Sequence, residues 1–115
     1  MIKSLLVFFA LALSVNLSAQ KSKEQLLIIG TYTSDKSDGI YIYKFNTETG
    51  ENSFVSSVKT SNPSYLTISP NKKFIYAVNE DAPGNVTAFV FNKPNNKLIQ
   101  VNQQPSQENI LAILQ

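Results

Sequence analysis

Runs in which neighbouring residues are all apolar, Ile40-Tyr41-Ile42-Tyr43 and again Phe74-Ile75-Tyr76-Ala77-Val78, limit the fold more than any other feature of this chain. Successive side chains of a strand point to opposite faces, so a run of this kind needs both faces of its sheet covered. An antiparallel sheet with one wet face alternates instead. Further short apolar and β-branched stretches occur at Leu26 to Thr31, Phe54 to Val58, Tyr65 to Ile68, Val86 to Phe91 and Leu98 to Val101, each bounded by Gly, Pro, Asn, Asp or Ser. No segment carries a sustained helical period, and the expected class is all-β.

The connections between these stretches are of two kinds. Asn46-Thr47-Glu48-Thr49-Gly50-Glu51, Pro70-Asn71-Lys72 and Asn92-Lys93-Pro94-Asn95-Asn96 are tight and hairpin-like. Looser links lie between them at 33–39, 60–63, 80–84 and 104–107. Successive links of an up-and-down meander alternate between the ends of the sheet, so the tight turns gather at one end and the loose links at the other. A ligand is expected at the loose end, where longer loops can carry functional side chains.

Phe54, Ser56 and Val58 against Val55, Ser57 and Lys59, and Ile99 and Val101 against Gln100 and Asn102, read as outer strands with a partly wet face. Sheets covered on both sides by other sheets, with wetter outer strands, describe propeller blades; a single sandwich is the competing architecture. Phe45-Asn46-Thr47-Glu48 matches Phe91-Asn92-Lys93-Pro94 at about 46 residues, within the range of propeller repeats. The same offset sets Tyr65-Leu66-Thr67-Ile68 over Leu111-Ala112-Ile113-Leu114. The expected domain is a partial β-propeller over 20–115, with a first blade at about 26–59, a second at about 65–103 and the start of a third at about 110–114. The first blade has three strands, and its inner partner must come from elsewhere.

Ahead of these strands, Lys3, the apolar run Leu5 to Val15 and the small residues Ser18 and Ala19 follow the order of a secretory signal peptide over 1–19. The run is shorter than the roughly 20 residues that cross a bilayer as a permanent helix. A buried strand or amphipathic helix is the alternative. The mature product is therefore expected to be exported, periplasmic or secreted, with no membrane association after cleavage.

Composition removes several chemistries. All ten positive charges are lysines, and the chain holds no Arg, His, Cys or Trp. A Ser-His-Asp triad, a thiolate nucleophile, a Cys or His zinc site and a disulfide framework are excluded. A net charge of +2 gives no electrostatic basis for binding nucleic acid. Asp35 and Asp38 ahead of Gly39 do not make a calcium loop, because Ser34 and Lys36 occupy positions that need oxygen-rich ligands. No metal and no cofactor are implied.

Several motifs in order carry a family resemblance: Gly30-Thr31-Tyr32-Thr33, Gly39-Ile40-Tyr41-Ile42-Tyr43, Thr47-Glu48-Thr49-Gly50, Asn62-Pro63-Ser64-Tyr65-Leu66, Ser69-Pro70-Asn71-Lys72-Lys73, Tyr76-Ala77-Val78-Asn79-Glu80 and Asn102-Gln103-Gln104. Together they resemble the amino-terminal blades of the lactonase family, the seven-bladed propellers that include the 6-phosphogluconolactonases of the propeller type. The resemblance implies about two four-stranded antiparallel blades of a seven-bladed β-propeller, an incomplete ring. It also implies hydrolysis of a sugar lactone to its open acid. Where the family continues into a His-Pro segment, this chain has Gln107-Glu108-Asn109-Ile110. The catalytic residues proposed for related propellers lie in later blades, and none transfers to a position here.

Lactone hydrolysis needs a base or acid beside the water and donors at the developing oxyanion. The loose end offers Tyr32, Asp35, Asp38, Asn62, Ser64, Asn79, Glu80 and Asp81. Glu80, at the mouth of an apolar strand, is the candidate base; a solvated loop carboxylate is the plain alternative. Tyr32, Asn62, Ser64 and Asn79 are candidate substrate contacts, with turn formation the alternative for the two asparagines. An exported enzyme with only lysines for phosphate recognition points to an unphosphorylated lactone. The expectation is a truncated or frameshifted form, weakly active or inactive alone, whose exposed blade faces favour self-association. The other functional expectation is a non-catalytic propeller module that binds a carbohydrate or protein.

Overall fold

Strands form where the apolar stretches stand, and they stop at the turn residues. The computed structural model describes residues 23–106. They form β1 (Glu24–Gly30), β2 (Gly39–Asn46), β3 (Asn52–Lys59), β4 (Pro63–Ile68), β5 (Phe74–Asn79), β6 (Asn85–Asn92) and β7 (Lys97–Pro105). A 3-10 turn at Lys93–Asn95 closes the last hairpin, with Asn96 left-handed behind it. The expected signal peptide and the start of a third blade lie outside the described residues.

β1, β2 and β3 make a three-stranded antiparallel meander, and β4 to β7 make a four-stranded one. This is the expected division, with β1 at the edge of the first sheet. The sheets stack face to face. Ile40 and Ile42 of β2 meet Ile75 and Ala77 of β5, Phe89 of β6 and Leu98 of β7, with Ile28, Val58 and Leu66 packed around them. Burying an aliphatic or Phe side chain contributes roughly 1.5–3 kcal/mol, so this one shared face supplies most of the cohesion between the sheets.

Two details differ from the expectation. Phe54 does not share a face with Ser56 and Val58. A β-bulge between Ile42 and Tyr43 inserts an extra residue in β3, so Ser56 pairs with Ile42 while Phe54 pairs with Tyr43. The bulge changes the facing of the residues beyond it. Phe54 therefore stacks edge-on against Tyr43, at 5.8 Å between ring centroids, on the outward face. Strand β7 also runs four residues past the expected Val101, to Pro105. Asn102, Gln103 and Gln104 give no apolar signal, yet each continues the ladder with β6.

The first sheet and the link after it pack closely at the loose end. A Cβ at Gly30 would run into the Pro63 carbonyl, and one at Gly39 into the Thr60 carbonyl. Gly39 also has a φ of 126°, a conformation that side chains disfavour. The first sheet can seat against the 60–63 link only because both positions lack a side chain.

Candidate functional site

The links at 31–38, 60–62 and 80–84 meet at one end of the stacked sheets, as the meander requires. Side chains from different sheets bond there. The Tyr32 hydroxyl donates to Glu80 Oε2 at 2.8 Å. Thr33 donates to Asn62 Oδ1 from its backbone N–H at 2.8 Å and from its hydroxyl at 3.1 Å. Asn62 Nδ2 and the Ser61 hydroxyl both donate to Asp81 Oδ1, at 2.8 and 2.9 Å. The Glu80 amide closes onto the Asn62 carbonyl at 2.9 Å. The 60–62 link is thus clasped between a loop of the first sheet and a loop of the second. Asn62, with a φ of 41°, turns the chain between them, a conformation that Asn tolerates better than most residues.

The candidate residues divide by what surrounds them. Tyr32 is 61% exposed, and Glu80 is exposed beside it. The phenol's pKa is raised above its ordinary value, chiefly by the hydrogen bond that it donates to Glu80 and then by the negative charge of that carboxylate. Tyr32 therefore stays protonated through neutral pH and remains a donor. Ser64 is exposed and sits at a register shift between Pro63 and Tyr65 at the mouth of β4. Bulges of this kind re-aim side chains at a strand end.

Asn79 stands differently, at 1% exposure. Its Nδ2 donates to Thr60 Oγ1 and to the Ser61 carbonyl, at 2.8 and 2.5 Å. Its Oδ1 accepts from the Thr87 hydroxyl at 2.5 Å. Gln103 of the outer strand donates to the same Thr87 oxygen at 2.9 Å. This polar ladder crosses the second sheet from the link to β7 and leaves every polar atom partnered, as burial demands. Thr60, Ser61 and Thr87 carry no distinguishing sequence signal; their partners lie 18 to 20 positions away or in the next strand.

Asp38 accepts from Ser57 at 2.8 Å, and its own amide donates to the Tyr41 hydroxyl at 2.9 Å. Asp35, Lys36 and Asp38 line an open polar cavity of about 500 Å³ with Lys59, Thr60 and Ser61. Its walls come from the β1–β2 link, the end of β3 and the link that follows it. Among the described residues no three Asp, Glu, His or Cys side chains converge as a metal site would need.

The family model described as "Lactonase, 7-bladed beta-propeller" matches residues 26–115. A 6-phosphogluconolactonase of Formosa agariphila is 34% identical over 83 residues, which is 68% of this chain and 24% of that protein. A crystal structure from Bacteroides fragilis, described as a candidate 6-phosphogluconolactonase, superposes with a TM-score of 0.69 at 41% identity, over 76% of this chain and 26% of that one. A periplasmic gluconolactonase of Pseudomonas aeruginosa superposes with a TM-score of 0.66 at 33% identity, over 72% of this chain and 25% of that one. The chain spans about a quarter of the length of the curated relatives it matches, 24% and 22%.

Proposed function

Because the chain belongs to the lactonase family of seven-bladed β-propellers, we propose that it forms two blades of a propeller that opens a sugar lactone to its hydroxy acid. The observation that carries this reading is the Tyr32 to Glu80 hydrogen bond, which joins the two blades at the loop end. Glu80 acts as the base: it takes a proton from water while the water oxygen bonds to the ring carbonyl carbon. The bond from that carbon to the ring oxygen then breaks, and the ring oxygen takes up a proton, so one water is consumed per hydroxy acid formed. Tyr32, held protonated, orients the carboxylate, and the Ser64 hydroxyl meets the sugar at the mouth of β4. Asn62 and Asn79 serve the site by holding the link, since their amides are engaged within the protein.

The substrate proposed is an unphosphorylated sugar lactone met outside the cytoplasm. The expected leader at 1–19 and the absence of Arg support this, as does the likeness to a periplasmic gluconolactonase. Two blades alone enclose little of a substrate, so the chain by itself is expected to turn over slowly or not at all. A second reading, glycan binding without turnover, is favoured by the open polar cavity between Lys36 and Lys59, all of whose lining residues lie in the first blade and the link after it.

Acid release from glucono-1,5-lactone and from its 6-phosphate tests the proposal. It is measured for this chain and for a fusion in which its two blades replace those of the Bacteroides fragilis relative. The fusion is expected to hydrolyse the unphosphorylated lactone faster, and Glu80→Gln in it to lose about 10²-fold or more, the scale of a lost general base. A fusion as active with Glu80→Gln as without it assigns the base elsewhere.

A further inference from the structure

Tyr32 and Glu80 are both exposed, and a single exposed hydrogen bond between two side chains holds little by itself, because water competes for both ends. Their chain neighbours supply what the pair lacks. Thr33 and Asp81 are joined through Asn62 by half-buried bonds that run beside the bond from Tyr32 to Glu80.

The Asn62 carboxamide fits between them in one direction only. The Thr33 amide can only donate, so the atom that faces it is the carboxamide oxygen. On the other side stands the Asp81 carboxylate, which when ionised can only accept. It takes Asn62 Nδ2 at 2.8 Å and the Ser61 hydroxyl at 2.9 Å on the same oxygen. A flipped carboxamide would set Nδ2 against the Thr33 N–H and its oxygen against the carboxylate, and both contacts repel. Charge-assisted hydrogen bonds are roughly twice as strong as neutral ones, so Asp81 is the firmer of the two ends. It is itself anchored from within: its amide donates to the Asn79 carbonyl at 2.9 Å, and Asn79 is buried and bonded to Thr60, Ser61 and Thr87. The Asn62 carbonyl adds a further tie by accepting the Glu80 amide at 2.9 Å. The backbones that carry Tyr32 and Glu80 are thus held together by bonds in which neither side chain takes part.

We propose that Asp81 is the positioning residue of this site: its carboxylate holds the Asn62 carboxamide in the orientation that seats Thr33, and so keeps the Tyr32 hydroxyl within reach of Glu80. The kinetic consequence rests on the reading of Glu80 as the base. The positioning itself concerns hydrogen bonds within the chain and is followed without a substrate.

Ultraviolet titration of the full 115-residue chain tests it, with the late ionisation of the Tyr32 phenol reporting the bond to Glu80. Asp81→Ala is expected to return that phenol toward the ordinary range, although neither partner of the bond is changed. Asp81→Asn removes the charge but keeps an acceptor for Asn62, and the phenol is expected to stay late. Asn62→Asp sets two carboxylates against each other and is expected to lose the late phenol. Asn62→Asp combined with Asp81→Asn is expected to recover it, because donor and acceptor have changed places, and the left-handed backbone at position 62 tolerates Asp as it does Asn. Recovery in the double variant, with far-UV circular dichroism unchanged throughout, separates positioning from a general loss of fold. In the fusion with the Bacteroides fragilis relative, Asp81→Ala is expected to lower kcat by up to about 100-fold, the scale of a misplaced group, with KM little changed and Asp81→Asn close to the unsubstituted fusion. The proposal is overturned by a late phenol that persists in Asp81→Ala, by its loss in Asp81→Asn, or by a double variant that does not recover it. A fusion fully active with Glu80→Gln overturns the hydrolytic reading instead, and the titration alone then decides the role of Asp81.

Discussion

Asn46 and Asn71 at the tight-turn end use their side chains on their own turns. Asn46 Oδ1 accepts from the Glu48 and Thr49 amides, and Asn71 Oδ1 from the Lys73 amide. Asn62 and Asn79 at the loose end carry the same side chain but use it on residues 18 to 29 positions away and, for Asn79, also on Thr87 of the next strand. Only Ser56, donating to the Asn96 carbonyl at 2.7 Å, bridges the sheets near the tight end among the side-chain hydrogen bonds of the described residues. Local bonds close a hairpin whether or not the sheets are stacked. Long-range bonds exist only once they are, so the loose end both reports and maintains the blade contact. The exposed ion pair of Lys23 with Glu48 at the tight end adds little, because solvent screens such pairs.

Substitutions at the two ends should therefore differ in size, and unfolding in urea measures them. Asn79→Leu is expected to cost most, about 2–4 kcal/mol, because it leaves the buried Thr87 hydroxyl without its acceptor and removes the donor to the half-buried Thr60 hydroxyl and the Ser61 carbonyl. Gly30→Ala follows at about 1–3 kcal/mol, from the collision with the Pro63 carbonyl. Asn46→Ala is expected to cost only about 0.5–1.5 kcal/mol, since its turn is exposed and water replaces the lost acceptor. An Asn46→Ala loss equal to that of Asn79→Leu would abolish the distinction between the ends.

The smallest effect sharpens the contrast through pH. Tyr32 is protonated in the folded and the unfolded chain up to the ordinary phenol value, so its bond to Glu80 contributes fully there. As pH rises from that value through the raised folded one, the unfolded chain ionises first and the contribution is lost. An ultraviolet titration of the five tyrosines is expected to show one phenol ionising late. Glu80→Gln is expected to bring it back toward the ordinary range, and Tyr32→Phe to remove it. A late phenol that persists with Glu80→Gln would assign the shift to another residue.

Much of the architecture was legible because it is written in neighbouring residues. Apolar runs such as Ile40-Tyr41-Ile42-Tyr43 announce a strand covered on both faces, and link lengths sort the two ends of the meander. The motif series from Gly30-Thr31-Tyr32-Thr33 to Asn102-Gln103-Gln104 was enough to suggest the family. The loose end as a meeting place for Tyr32, Asn62 and Glu80 followed from the order of the links alone. The role of Asn79 did not. Its sequence neighbourhood suits an exposed turn as well as a buried ladder, and the difference depends on Thr60 and Ser61 of one link and Thr87 of β6 arriving from two other segments. The true facing of Phe54 is not legible, because a bulge costs one residue of register and leaves no mark on apolar periodicity. The polar half of β7 carries no sequence signal, because hydrogen bonds to β6, not side-chain burial, hold it in the sheet.

The sequence by itself determined the strands, the meander and the end at which its loops collect, since these follow from side-chain alternation and turn chemistry within a few residues. The tertiary structure decided which face of each strand is buried, that Asn62 and Asn79 hold the link between the sheets, and which carboxylate Tyr32 reaches. Those outcomes depend on how two sheets stack, and stacking is set by the fit of Gly30 against Pro63 and of Ile42 against Phe89, between residues far apart in the chain.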